Sequence, residues 1–189
     1  MESEWLRKVI ERDGRVEGPL LKVDTFLNHR VEPSLMASIG ADLADRFAAD
    51  EPQLVLTAEA SGIPPALATS LVLDVPMVYA KKYPHVERPS DALVRTVASP
   101  TKGVSYRIEV ARHVLPSETR VLVVDDFLSG GRTAVALGEI VEEAGATLVG
   151  FGFVIEKAFL GGRAPLTERG WRVESLIRVA ALEPSLVID

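Results

Sequence analysis

The 189-residue sequence has no cysteine, which excludes disulfides, thiolate catalysis and cysteine-built zinc sites. Histidine is scarce. His29, His85 and His113 lie far apart with no ligand spacing, so a histidine-built metal site is not expected either. Basic charge is not in excess: at a formal net charge of −6 the chain lacks the basic face of a general nucleic-acid binder. A small anionic ligand stays compatible, because local dipoles and a few cations decide that. No stretch approaches the ~20 apolar residues of a membrane span, and the opening MESEWLRKVIERDG has no apolar secretory core. The expectation is a cytoplasmic protein with neither nucleic acid nor membrane as partner. Two common phosphate fingerprints, the Walker A loop and GxGxxG, are also missing.

What is present suits one α/β domain spanning 1–189, with 47% hydrophobic and 25% charged residues. Trp5, Leu6, Val9 and Ile10 recur at helical spacing and predict a helix over 2–13 that Gly14 stops. Leu35, Met36, Ile39, Leu43 and Phe47 predict a second helix, about 33–49. Between them, GPLLKVDTFLNHRVEP is irregular. A βαβ unit follows: strand 54–57, loop 59–62, a helix starting near Pro64, and strand 75–80. Residues 83–106 change character, being rich in proline and polar residues. Ala92 to Ala98 can pair as a strand, and the rest reads as a mobile flap including Ser99, Thr101 and Lys102. Further expected elements are strand 120–125, helix 132–144, strand 148–155 and a strand near 171–178. GGR occurs twice, at 130–132 and 161–163, in unlike contexts. Alternating strands and helices imply a mostly parallel sheet covered on both faces, with ligands beyond the carboxyl ends of its strands.

The stretch VLVVDDFLSGGRTAVAL, 121–137, concentrates chemistry at such an end. Four apolar residues run into Asp125 and Asp126, adjacent carboxylates that repel each other and resist burial. They suit a divalent metal or the hydroxyls of a sugar. Ser129, Gly130, Gly131, Arg132 and Thr133 then form a small turn before a helix. Bare glycines let a ligand approach the backbone, and the unpartnered amides of a helix start favour a phosphate. Acids beside such a turn suggest a sugar phosphate.

This arrangement, VVDDFLSGGRTA at 123–134, resembles the phosphoribosyl-diphosphate (PRPP) motif of the type I phosphoribosyltransferases. With LLKVDTFLNHRVEPSLM (20–36), EASGIPPALA (59–68), GFVIEKAF (152–159) and GWRVESLIRV (170–179), the chain is similar to the xanthine branch of that family over nearly its whole length. The resemblance implies the family fold: a mostly parallel central sheet flanked by helices, a small hood from about 1–35, and the flap at about 83–106. It implies transfer of a phosphoribosyl group to xanthine, giving xanthosine 5′-monophosphate and diphosphate. A hypoxanthine/guanine enzyme is the near alternative. A non-catalytic PRPP-sensing regulator is the other; such regulators usually append a winged-helix domain, for which the residues before the first βαβ unit are too few.

By position, the resemblance assigns the 5′-phosphate to Ser129, Gly130, Gly131, Arg132 and Thr133, and the ribose hydroxyls to Asp125 and Asp126. Glu59, Ala60, Ser61, Gly62 and Ile63 match the pyrophosphate loop, and Lys81 and Lys82 match a basic position for pyrophosphate, sometimes offered to a neighbouring subunit. Leu21 (through its backbone), Asn28 and Lys157 match xanthine contacts. Mg²⁺ would arrive with PRPP, with no protein side chain expected as its ligand, and the family forms homodimers. The base contacts make physical sense: Lys157 is a pure donor that suits an oxo group and opposes an amino group. Two departures stand out. Ser129 replaces an aspartate that some 6-oxopurine transferases carry, and Gly130-Gly131-Arg132 stands where relatives have Asn-Gly-Gln.

Overall fold

The computed structural model describes residues 3–83, 91–98 and 105–189. The chain opens with α1 (Glu4–Asp13), a two-stranded ribbon of β1 (Arg15–Glu17) and β2 (Leu20–Lys22), and one wide π-type turn over Asp24–Asn28. Then follow α2 (Pro33–Phe47), β3 (Leu54–Ala58), α3 (Ile63–Leu73), β4 (Met77–Tyr83), β5 (Ala92–Ala98) and β6 (Ser105–Ala111). The remainder is β7 (Arg120–Leu128), α4 (Arg132–Glu143), β8 (Thr147–Lys157), the short α5 (Ala164–Thr167), β9 (Val173–Ala181) and β10 (Val187–Ile188).

Eight strands form one sheet in the order β10-β9-β8-β7-β3-β4-β6-β5. The run from β9 through β8, β7 and β3 to β4 is parallel, and antiparallel partners close both edges. Because α3 leads from β3 to β4 and α4 leads from β7 to β8, the chain winds outward in opposite directions from the β3–β7 pair. Their carboxyl ends are the topological switch point, where open α/β sheets build their sites.

Period-two alternation places a core on each face. Val55, Leu122 and Val124 pack with α1, α2 and α3 side chains such as Leu6, Ile39 and Phe47. Leu54, Leu56, Val121 and Val123 pack on the other side with Leu137, Ile140 and Val141 of α4. Each fully buried side chain of this size contributes about 1.5–3 kcal/mol over an exposed one. The alternation slips one residue beyond the acid pair: Phe127 packs with the first core, whereas Leu128 belongs to the second.

The structure corrects several expectations. Strand β7 runs on to Leu128 because β8 pairs with it as far as Glu156, so the acids lie inside the strand rather than at its end. Strand β4 runs from Met77 to Tyr83 and carries both Lys81 and Lys82. The region read as flap supplies β5, as expected, and the first two residues of β6, whose RIEVA core at 107–111 is an ordinary alternating strand just beyond it. The rest of that region, including Ser99, Thr101 and Lys102, lies outside the described residues.

Candidate active site

The site is built at the carboxyl ends of β3 and β7. On β3, buried Thr57 precedes the loop Glu59–Gly62, which turns into α3. Two prolines in the first turn, Pro64 and Pro65, start that helix where missing amide hydrogens cost nothing. Gly62 is its N-cap, and no side chain caps it. The Glu59–Ala60 peptide is cis. The Glu59 carboxylate turns sideways and accepts a hydrogen bond from the backbone N–H of Lys82 at 2.5 Å, tying the loop to β4. Thr57 Oγ1 is buried with no hydrogen-bond partner among the described residues.

On β7, Asp126 is 5% exposed, contrary to the expectation that the acids resist burial. It is accommodated because two donors reach it: Ser61 Oγ at 3.0 Å from the β3 loop and Asn28 Nδ2 at 3.4 Å from the wide turn after β2. A carboxylate deprived of water is retained when its lone pairs are taken up this way. Asp125 accepts from the Asp126 amide at 2.9 Å. Burial, followed by the charge of Asp126, pushes the Asp125 carboxyl well above the usual carboxylate range; Lys82 opposes that rise. An acid strained in this manner gains from any cation or hydroxyl brought to it.

After β7, the turn Ser129–Gly131 leads into α4. Gly131 is the N-cap with φ 75°, a left-handed conformation that glycine adopts without penalty, and no side chain caps the helix. A side chain at Gly130 would meet open space. The first turn of α4 thus has backbone amides that no side chain caps, at the positive end of the helix dipole. Thr133 Oγ1 is 2.8 Å from the Tyr106 hydroxyl on β6. Arg132 points away from the turn and donates to the Ala98 carbonyl at 3.0 Å, at the end of β5.

At the end of β8, the Lys157 ammonium lies 4.8 Å from the centre of the Phe127 ring. Burial lowers its pKa, and the nearby charge of Asp126 partly restores it. Leu21 has its side chain in the first core, which leaves its backbone to border the site. Leu21, Asn28, Ala60 and Ser61 share one open cavity of about 530 Å³. Residues 28 and 61 thus meet on the Asp126 carboxylate, whose charge also acts on Lys157, and Leu21 borders the cavity that Asn28 and Ser61 share. The two lysines of β4 are separated. Lys82 lies over the Tyr106 ring at 5.6 Å and acts on Asp125. Lys81 lines a groove on the opposite face with Met77, Tyr79 and Glu109.

Tyr106, Gly162 and the Glu156–Arg163 pair were not singled out from the sequence. Tyr106 lies in a region whose composition hid a strand, and the second GGR was the one visible sign of Gly162. Among the described residues no group of three or more acidic, histidine or cysteine side chains could hold a metal ion. Nor is any helix there long and apolar enough to cross a membrane.

The family model described as phosphoribosyl transferase domain matches residues 25–165. A xanthine phosphoribosyltransferase of Exiguobacterium sp. is 48% identical over 180 residues, covering 94% of this chain and 93% of its own. One from Chloroflexus aurantiacus is 47% identical over 174 residues, 92% of this chain and 82% of its own. One from Pseudomonas entomophila is 44% identical over 185 residues, 97% of each chain. Among solved structures, adenine phosphoribosyltransferase from Rhodothermus marinus superposes with a TM-score of 0.76 at 23% identity, covering 91% of this chain and 97% of that one. The Giardia lamblia enzyme complexed with 9-deazaadenine gives 0.77 at 20%, covering 96% and 99%. At these identities the structures establish a shared fold and nothing of the base.

Proposed function

The chain belongs to the phosphoribosyltransferase family, and from that membership we propose that it converts xanthine and PRPP to xanthosine 5′-monophosphate and diphosphate. The observation that carries the proposal is the convergence on Asp126 of Ser61, Asn28 and Lys157, from three separate segments, beside the uncapped start of α4.

In this reading the amides and hydroxyls of Ser129, Gly130, Gly131, Arg132 and Thr133 hold the 5′-phosphate, and Asp125 and Asp126 accept the ribose hydroxyls. The loop Glu59–Gly62 and Ile63 turn backbone amides toward the diphosphate, with Lys82 as its cation. Xanthine lies against Leu21, Asn28 and Lys157. The base nitrogen forms its bond to the anomeric carbon as the bond to the diphosphate oxygen breaks. Positive charge grows on the sugar, where the two carboxylates favour it, and negative charge grows on diphosphate, where amides and Lys82 favour it. Ser129 supplies a hydroxyl and no base at neutral pH, so the ring proton of xanthine is lost by its own acidity.

A Mg²⁺ arriving with PRPP would be held by the oxygens of PRPP itself, while Asp125 and Asp126 serve the ribose hydroxyls. When bound, the ion neutralises charge on the departing diphosphate.

We further propose a homodimer, with Lys81 serving the neighbouring subunit's site. Helix α3 has no charged side chain and leaves Leu67, Leu71 and Val72 exposed, Leu71 at 72%. Lys81 shares a groove with Met77 and Tyr79, and Met77 packs against the α1–α3 core, so Lys81 emerges beside that apolar helix. Consumption of a membrane-impermeant sugar polyphosphate assigns the reaction to the cytoplasm. The proposal is tested by mixing the protein with Mg²⁺, PRPP and xanthine and following both products. Equal appearance of xanthosine 5′-monophosphate and diphosphate is expected; absence of both contradicts it.

A further inference from the structure

The two GGR segments meet in space. A methyl group built on Gly162 would lie 1.9 Å from the Ser129 carbonyl oxygen and 2.8 Å from the Gly131 nitrogen. One built on Gly131 would lie 2.5 Å from the Gly162 carbonyl oxygen. All of these neighbours are backbone, so none can swing aside. Gly162 is buried and packs directly against a turn that is otherwise open at Gly130.

Gly162 is itself held. The next residue, Arg163, directs its guanidinium back to β8 and β9. Its Nε donates to Glu156 Oε1 at 3.0 Å, its Nη2 to Glu156 Oε2 at 2.5 Å, and its Nη1 to the Val173 carbonyl at 2.8 Å. Ser175 Oγ donates to the same carboxylate at 2.7 Å. The Glu156 side chain is 2% exposed, and a buried carboxylate so fully bonded is a rigid anchor. Glu156 also immediately precedes Lys157.

Resting on the phosphoribosyltransferase reading for what the turn holds, we propose that Gly162 is a positioning residue for the 5′-phosphate loop, braced against Ser129 and Gly131 by the Arg163–Glu156 pair. Glycine-rich turns lose much conformational freedom on being fixed. A brace that fixes this one before the ligand arrives removes that cost from binding and keeps the amides aimed. None of the three residues needs to touch substrate.

The test separates the two ends of PRPP. Binding of ribose 5-phosphate and of inorganic pyrophosphate is measured by calorimetry on the wild type, Gly162→Ala and Arg163→Lys. Gly162→Ala is expected to weaken ribose 5-phosphate about tenfold or more, with pyrophosphate affinity held within about twofold, because the 59–63 loop is untouched. In turnover, the KM for PRPP rises while that for xanthine stays. Arg163→Lys keeps the charge but not the fork, and is expected to give a smaller loss of the same selectivity. It decides the matter if Gly162→Ala fails to fold. Unchanged ribose 5-phosphate affinity in the folded variants, or equal loss of both ligands, overturns the proposal. A wild type that binds no ribose 5-phosphate overturns instead the reading on which it rests.

Discussion

Ser61 donates to Asp126 at 3.0 Å, so the loop after β3 and the acid pair of β7 are joined before any ligand arrives. The bond spans the switch point of the sheet. It supplies a donor to a carboxyl group that is almost wholly buried beside a second one, and it fixes the loop that the proposed chemistry turns toward diphosphate.

Asp126→Asn is expected to lower kcat about 100-fold or more, the scale of losing one well-placed electrostatic group. Its amide replaces one of the two acceptor oxygens with a donor, so either Ser61 or Asn28 loses its acceptor. The core on either side is untouched, so thermal unfolding stays cooperative. Steady-state kinetics with circular dichroism checks both parts, and an unfolded variant would mean the acid serves the fold.

Asp125→Asn is expected to lower activity and raise the stability of the ligand-free protein at neutral pH. Burial, then the charge of Asp126, raise the Asp125 pKa on folding. The sign follows: a raised folded pKa gives stability that is complete below the ordinary carboxylate pKa and lost as pH rises through the folded value. The wild type is penalised in that upper range, and the neutral variant is not. Each kcal/mol recovered lifts Tm by about 2–4 °C. Melting curves at pH 4 and pH 8 should show a gain at pH 8 that shrinks toward pH 4.

Lys157→Met is expected to reduce kcat/KM for xanthine about 10- to 100-fold, the scale of a lost charged hydrogen bond. The thioether keeps contact with Phe127. Removing a half-buried cation spares its desolvation, so stability should not fall. Kinetics with xanthine and adenine should show the preference between them narrowing; an undiminished preference would remove Lys157 from the base site.

Tyr106→Phe removes the hydroxyl that lies 2.8 Å from Thr133 Oγ1. At about 1 kcal/mol for one hydrogen bond, the KM for PRPP should rise about 3- to 10-fold with kcat little changed. Initial-rate measurements over PRPP concentration check this.

Much of the fold was legible because apolar periodicity is strong in the buried parallel strands and in α2, whose stripe from Leu35 to Phe47 is buried as its spacing predicts. The extent of β7 was not, because local charge repulsion argues against acids inside a strand. The donors from Ser61 and Asn28, distant in sequence, account for the burial of Asp126. Strand β6 was missed because its first residues fall in the proline-rich segment read as flap and its short alternating core, 107–111, follows directly on it. The candidate site residues were legible through resemblance, whereas their grouping depends on tertiary structure. Lys81 and Lys82 look alike in sequence, yet strand alternation sends them to opposite faces. The contact of Gly162 with Ser129 and Gly131 is backbone on backbone, which leaves no side-chain signature to read.

The most direct test of the function is competition for limiting PRPP among equimolar xanthine, guanine, hypoxanthine and adenine, with the nucleotide products separated and counted. We expect xanthosine 5′-monophosphate to dominate and adenosine 5′-monophosphate to be the least formed. Guanosine or inosine monophosphate in excess over it would contradict the assignment of xanthine as the substrate.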